Sequence, residues 1–236
     1  MRGLFITGTD TDVGKTYVTA AIARQLRAEG HATGVYKPAC SGAERTDSGE
    51  LRWHDVEALA EAAGVSDRQL ICPQCFEAPL APPVAARRQG EVCSWQAMLD
   101  GVSRWEEENT SPDVLLIEGA GGLFCPMTDD HSIADLAVEL GYPILIVSRL
   151  GLGTINHTLL TIEAARSRGL NISGVVLNDG DNLAETFAGQ SNFDELSRLT
   201  DVLLLGVLPF GGESVCLRDG ITSATIDWLE LAGSNR

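Results

Sequence analysis

The segment Gly8-Thr-Asp-Thr-Asp-Val-Gly-Lys-Thr16 constrains the fold of this chain more than any other. The apolar run Leu4-Phe5-Ile6-Thr7 precedes it and reads as a short buried strand. After it, residues 16–29 carry helical spacing, with Val18, Ala21, Ile22 and Leu26 on one face and Gly30 as the stop. A glycine loop between a strand and a helix N-terminus aims backbone N–H groups at an anion, and Lys15 adds a full positive charge. The Thr16 hydroxyl suits Mg²⁺, a hard cation that prefers oxygen. Such loops commonly have four residues between their glycines; here Gly8 and Gly14 enclose five. The bland alternative is a chance Gly-Lys-Thr at a helix start, and the strand before and helix after argue against it.

The rest of the chain alternates in the same way. Strands are expected at 33–36, at 114–117 ending in Glu118, at 143–147, at 172–177 ending at Asn178-Asp179, and at 202–208 ending at Pro209. Helices are expected at 55–63, closed by Gly64, from a Ser94 cap to about 108, at 156–168, stopped by Gly169, and near 221–231. Residues 41–49 read as a polar loop, and the three prolines of 76–83 exclude regular structure there. Apolar strands alternating with helices predict an α/β, P-loop NTPase-like fold: a mostly parallel central sheet with helices on both faces. In such sheets ligands bind at the carboxyl ends of the strands. With no repeat or low-complexity linker, residues 1–236 are expected to form a single domain.

Composition narrows the partners. The net charge of −16 repels phosphate backbones, so no nucleic-acid partner is expected. No run approaches the roughly 20 apolar residues of a membrane helix, so no membrane partner is expected either. Met1-Arg2-Gly3-Leu4 lacks signal-peptide features, which implies a cytoplasmic protein with reduced thiols. Cys72-Pro-Gln-Cys75 is a lone CxxC: no second ligand pair at fitting spacing accompanies it to make a zinc site, and apolar, proline-rich sequence follows it where a redox motif would open a helix, so it is expected to be incidental.

Several polar residues fall at strand ends. Glu118 can face a metal beside the phosphate loop, and the following Gly119-Ala120-Gly121-Gly122 lets backbone approach phosphate oxygens. Asp55 is ambiguous, because an acid at a helix start is favourable without any function. Lys37, pinned by Pro38 at the end of the second strand, is either a surface lysine or a charge for chemistry, with Ser41 and Gly42 as further donors. Asn156 is either a helix cap or part of a helix N-terminus that holds a carboxylate. Asn178-Asp179 lies where a purine base would lie, and without an Asn-Lys-x-Asp pattern adenine is favoured over guanine.

These pieces together resemble the dethiobiotin synthetases. The matching segments are Gly8–Thr16 with its five-residue spacing, Tyr36-Lys37-Pro38 with Ser41-Gly42, Phe76–Pro79 with Pro82, Val114–Gly122, Leu152-Gly153 with Ile155-Asn156-His157, and Val176–Asp179. They occur in the family's order up to about residue 210; Arg149 and Thr154 depart from its usual lysine and cysteine. The resemblance implies closure of the ureido ring of dethiobiotin from 7,8-diaminopelargonic acid, CO2/bicarbonate and MgATP. It implies catalytic roles for Lys37, Lys15 and Thr11, and Mg²⁺ held by Thr16, Asp55 and Glu118. It implies nucleotide contacts from Asp12, Val13, Gly14, Lys15, Thr16 and Tyr17, and from Asp55, Glu118, Gly119, Ala120 and Gly121. Asn178, Asp179, Leu208, Pro209, Phe210 and Glu213 would border the adenine, and Ser41, Gly121 and Asn156 would meet the substrate. It also implies a homodimer with shared active sites, the partner's Asn156 region reaching the substrate carboxylate.

Three rivals are less well matched. A partitioning-type ATPase usually carries an extra early lysine, which Gly8–Gly14 lacks. A cobyrinic-acid-type amidotransferase would need room for a glutaminase domain. A non-catalytic nucleotide-binding module has no need to keep Lys15, Thr16, Glu118 and Lys37 together.

Overall fold

The strands are buried on both faces, and their alternation divides the core in two. In β1 (Arg2–Gly8), Leu4 and Ile6 face one core and Phe5 the other. The structure is a computed structural model that describes residues 1–107, 111–184, 186–216 and 226–234. After β1 come α1 (Lys15–Ala28), β2 (Thr33–Tyr36), β3 (Cys40–Ser41), β4 (Glu44–Arg45), β5 (Leu51–Arg52), α2 (His54–Ala63) and α3 (Arg68–Ile71). Next are β6 (Cys75–Phe76), α4 (Pro82–Arg88), α5 (Trp95–Trp105), β7 (Val114–Glu118), α6 (Ile133–Leu140), β8 (Ile144–Arg149) and α7 (Thr154–Ser167). The described elements end with β9 (Ile172–Asn178), α8 (Phe187–Leu199), β10 (Leu204–Leu208), α9 (Trp228–Leu231) and β11 (Gly233–Ser234).

The main sheet runs β10-β9-β8-β1-β7-β2 with every neighbouring pair parallel, and β11 pairs antiparallel with the start of β1. Val114, Leu116, Leu145, Val147 and Val176 join Leu4 and Ile6 in a core with α1, α2 and Trp228. Leu115, Ile117, Ile144, Ile146, Val175 and Leu177 join Phe5 in the other, with side chains of α5, α6, α7 and α8. Burying each such side chain contributes about 1.5–3 kcal/mol of transfer free energy, which is why the sheet is covered on both sides. β1 stands between β7 and β8, with β2 beyond one and β9 and β10 beyond the other. The carboxyl ends around β1 therefore form the crevice where open α/β sheets bind ligands.

Some elements differ from the sequence expectation. Within 76–83, Phe76 belongs to β6 and Pro82 opens α4. Proline is excluded from a helix interior but suits the first turn, where its missing N–H has no intrahelical partner. The expected loop at 41–49 contains β4, which pairs with β5 across a turn closed by Thr46 N–H to Glu50 O at 2.9 Å and Gly49 N–H to Thr46 O at 2.9 Å. Helix α7 begins at Thr154, so Asn156 is not its cap; Gly153 takes that place in the left-handed conformation. The last strand starts at Leu204 rather than 202. The helix expected near 221–231 lies partly outside the described residues, and Trp228–Leu231 is helical. α6 and α8 were not anticipated.

Candidate active site

Sheet register places the charged groups. In the parallel pairing of β2 with β7, Tyr36 lies opposite Ile117, so the next residues, Lys37 and Glu118, leave their strands at one level. In the pairing of β1 with β7, Ile6 lies opposite Glu118, which sets that carboxylate beside the start of the loop. The Lys37 ammonium meets Glu118 Oε1 at 2.7 Å and Asp55 Oδ2 at 2.5 Å. The Thr16 hydroxyl donates to the same Glu118 Oε1 at 2.6 Å. Asp55 is the second residue of α2, and its side chain reaches into this cluster. Lys37 is 4% exposed, which removes the surface-lysine reading.

The loop itself is shaped by Gly14 and by Asp12, both with positive φ, at 91° and 57°. A Cβ at Gly14 would lie 2.1 Å from Asn178 Nδ2, which donates to the Val13 carbonyl at 3.2 Å. The position therefore demands glycine for both conformation and space. Lys15 Nζ donates to the Asp10 carbonyl at 2.9 Å, folding back over the loop. Burial pushes the Lys15 ammonium below its usual range against the pull of Glu118. For Lys37 burial acts in the same sense, but Glu118 and Asp55 outweigh it and raise the ammonium above its usual range. Burial likewise opposes ionisation of Asp55, and the charge and hydrogen bond of Lys37 overcome it, holding the carboxyl below its usual value.

A cleft of about 390 Å³ gathers Thr11, Asp12, Gly14, Lys15, Thr16 and Tyr17 with Lys37, Ser41, Asp55, Glu118, Ala120 and Gly121. It also has Ala39 and Cys40 in its wall, which the sequence reading did not single out. Glu118 Oε2 is buried with no hydrogen-bond partner among the described residues. A buried carboxylate oxygen left unpaired is costly. With Asp55 and the Thr16 hydroxyl it makes an oxygen set that fits Mg²⁺, which takes few protein ligands and completes its shell with water and phosphate oxygens.

Other expected residues lie outside this cleft. Gly119 is buried behind it, its N–H bonded to the Ile6 carbonyl at 2.9 Å. The Val13 and Leu208 side chains belong to the core, leaving only their backbone to meet a ligand. The Asp179 carboxylate accepts the N–H groups of Leu183 at 2.6 Å and Ala184 at 2.9 Å, so it caps a turn. Pro209, Phe210 and Glu213 stand at the end of β10, where the Tyr17 hydroxyl donates to the Gly212 carbonyl at 2.7 Å. Asn156 is exposed on α7 and does not line this chain's cleft. The sequence reading also passed over Ser148, which lies outside the cleft and whose Oγ links Thr154 at 2.8 Å, Thr158 at 2.9 Å and Thr9 at 3.3 Å. The signal was a lone hydroxyl ending the apolar run of β8.

Comparison with known proteins agrees with this geometry. A family model described as an AAA domain matches residues 2–214. The ATP-dependent dethiobiotin synthetase BioD of Anaeromyxobacter sp. (strain Fw109-5) is 48% identical, over 75% of this chain and 77% of its own. That of Anaeromyxobacter dehalogenans (strain 2CP-C) is 44% identical over 89% and 91%, and that of Bacillus cereus (strain G9842) 41% identical over 89% and 84%. Among solved structures, chloroplast FtsY from Physcomitrella patens superposes with a TM-score of 0.52 at 16% identity, covering 97% of this chain and 64% of that one. The MinC:MinD complex of Aquifex aeolicus gives a TM-score of 0.51 at 14% identity, covering 89% and 81%. These two likenesses concern the fold alone, a mostly parallel sheet with helices on both faces as in P-loop NTPases. The relatives at 41–48% identity over most of the chain carry the assignment: the chain belongs to the ATP-dependent dethiobiotin synthetases, and is an ATP-dependent ligase.

Proposed function

We propose that the cleft between the phosphate loop and Lys37 closes the ureido ring of dethiobiotin on 7,8-diaminopelargonic acid, using CO2 and MgATP. One substrate amine adds to CO2 and loses a proton, giving a carbamate. A carbamate oxygen attacks the γ-phosphorus of ATP and ADP leaves. The second amine then attacks the carbonyl carbon of the mixed anhydride and loses a proton, phosphate leaves, and the ring closes. Phosphoryl transfer needs positioning and positive charge more than covalent help from the protein.

The residues divide that work. Loop N–H groups from Asp12 to Tyr17, with Lys15, hold the phosphates, and Thr11 lies at the same mouth. Thr16, Asp55 and Glu118 would hold Mg²⁺, which when bound neutralises charge on the transferring phosphate. Lys37 steadies the carbamate and the charge that develops during transfer, and Ser41 and Gly121 touch the substrate. Asn178 and the Pro209–Glu213 turn border the adenine. The observation that carries this reading is Lys37, buried and bonded to both Asp55 and Glu118 in the same cleft as Lys15.

The unit is a single domain over 1–236 that works as a homodimer in the cytoplasm. Leu152 is 95% exposed beside the start of α7, and Leu160 and Phe124 are exposed nearby around an apolar groove. A two-fold pairing there would cover them and carry Asn156 to the partner's cleft. Among the described residues no helix is long and apolar enough to cross a membrane. Phosphate release that requires both diaminopelargonate and bicarbonate tests the reaction; release with ATP alone at the same rate contradicts it.

A further inference from the structure

The Cys72-Pro-Gln-Cys75 turn lies against the loop that carries Lys37. Cys72 ends α3 and Cys75 begins β6. The Lys37 N–H donates to the Ile71 carbonyl at 2.8 Å, and the Cys40 N–H to the Gln74 carbonyl at 2.9 Å. β3 pairs with β6 so that Cys40 lies opposite Cys75. The backbone of this turn thus fixes both ends of the segment from Lys37 to Cys40. Both thiols are free, and their sulfurs are 3.6 Å apart. A disulfide of about 2.05 Å would need them to approach by about 1.5 Å.

We propose that Cys72 and Cys75 form a dithiol modification site, closed to an intrachain disulfide by a small-molecule disulfide, and that closure slows turnover through the segment holding Lys37. Burial sets the order of events. Cys75 is partly exposed, whereas Cys72 is 1% exposed. The Cys75 thiol loses its proton to solvent and attacks one sulfur of the oxidant, forming a mixed disulfide and expelling a thiolate. Cys72 then loses its proton and attacks the Cys75 sulfur, expelling the second thiolate. Two protein thiols are oxidised and one disulfide is reduced to two thiols, so electrons balance. The hydrogen bond between the two sulfurs holds the Cys75 thiol below its ordinary range, and burial pushes Cys72 above it. Cys75 is thus the attacking thiol, and the raised, buried Cys72 makes resolution the slower step.

Drawing the sulfurs together moves the Ile71 and Gln74 carbonyls that hold Lys37 and Cys40. The phosphate loop takes no hydrogen bond from this turn among those described. Turnover is therefore expected to fall while ATP affinity holds.

The test uses the full chain in graded mixtures of oxidised and reduced glutathione, followed by alkylation, trypsin and mass spectrometry. Residues 69–87 form one tryptic peptide containing both cysteines and no other. Its mass is expected to drop by two hydrogens, the ring-closing rate to fall several-fold, and calorimetric ATP affinity to stay constant, all reversed by dithiothreitol. Cys72→Ser is expected to keep glutathione on Cys75, and Cys75→Ser to leave the peptide unmodified. Exposed Cys216 reports that oxidant reached the protein. A peptide with both thiols free while Cys216 carries glutathione overturns the site. A closed disulfide with unchanged turnover overturns its effect. The peptide mass stands whatever reaction the cleft performs, so failure of the site and of the ring-closure reading are told apart.

Discussion

Two lysines enter the cleft with different partners. Lys15 lies over the phosphate loop, bonded to the Asp10 carbonyl, while Lys37 is tied to two carboxylates on other elements. Lys15→Ala is therefore expected to weaken ATP binding at least tenfold in calorimetry, and unchanged affinity in a folded variant would contradict the loop's role. Lys37→Gln is expected to keep ATP affinity within a few-fold and to lower turnover by about 10²–10³, the cost of losing one preorganised donor to developing charge. Turnover within a few-fold of the parent would return Lys37 to an ordinary buried ion pair. The variant leaves Glu118 buried without its cation, and breaking such a pair costs about 3–5 kcal/mol. Its melting temperature must therefore be read alongside its rate.

At the scale of elements, helix ends carry measurable energy. The α6 N-terminus has a full capping box: Ser132 Oγ accepts the Asp135 N–H at 3.4 Å, and the Asp135 carboxylate accepts the Ser132 N–H at 2.7 Å. Ser132→Ala is expected to cost about 1 kcal/mol and to lower Tm by about 2–4 °C in calorimetry; an unchanged Tm would show that the cap adds nothing. Strands such as β7, buried throughout, were legible from their apolar runs, and α1 from its apolar face ending near Gly30. α8 was less legible: Leu196 is buried, but Phe193 is only partly so and Leu199 is exposed. The start of α7 was misplaced because Gly153 caps it through a left-handed backbone, with no side chain to announce it. In the site, spacing located the loop. The contact of Lys37 with Glu118 depends on strand register between distant segments, and that with Asp55 on how α2 packs beside β2, neither of which a local pattern encodes.

At the scale of the whole molecule, an acidic chain of net charge −16 places its buried ammonium groups at the carboxyl end of one sheet, where the proposed phosphate site lies. Asn156 lies away from that cleft, and a two-fold assembly is what would bring a second copy of it there. Lys37→Gln and Asn156→Arg, each nearly inactive alone, are expected to recover roughly a quarter of parental activity when refolded together, since half the random dimers hold one intact site. No recovery, with chain exchange shown by mass spectrometry, would contradict shared sites. The central claim is that a carbamate oxygen attacks the γ-phosphorus in this cleft. Its most direct test supplies bicarbonate labelled with oxygen-18, together with diaminopelargonate and MgATP, and analyses the released phosphate during early turnover. The account predicts one labelled oxygen in each phosphate released as dethiobiotin forms; unlabelled phosphate accompanying dethiobiotin would contradict it.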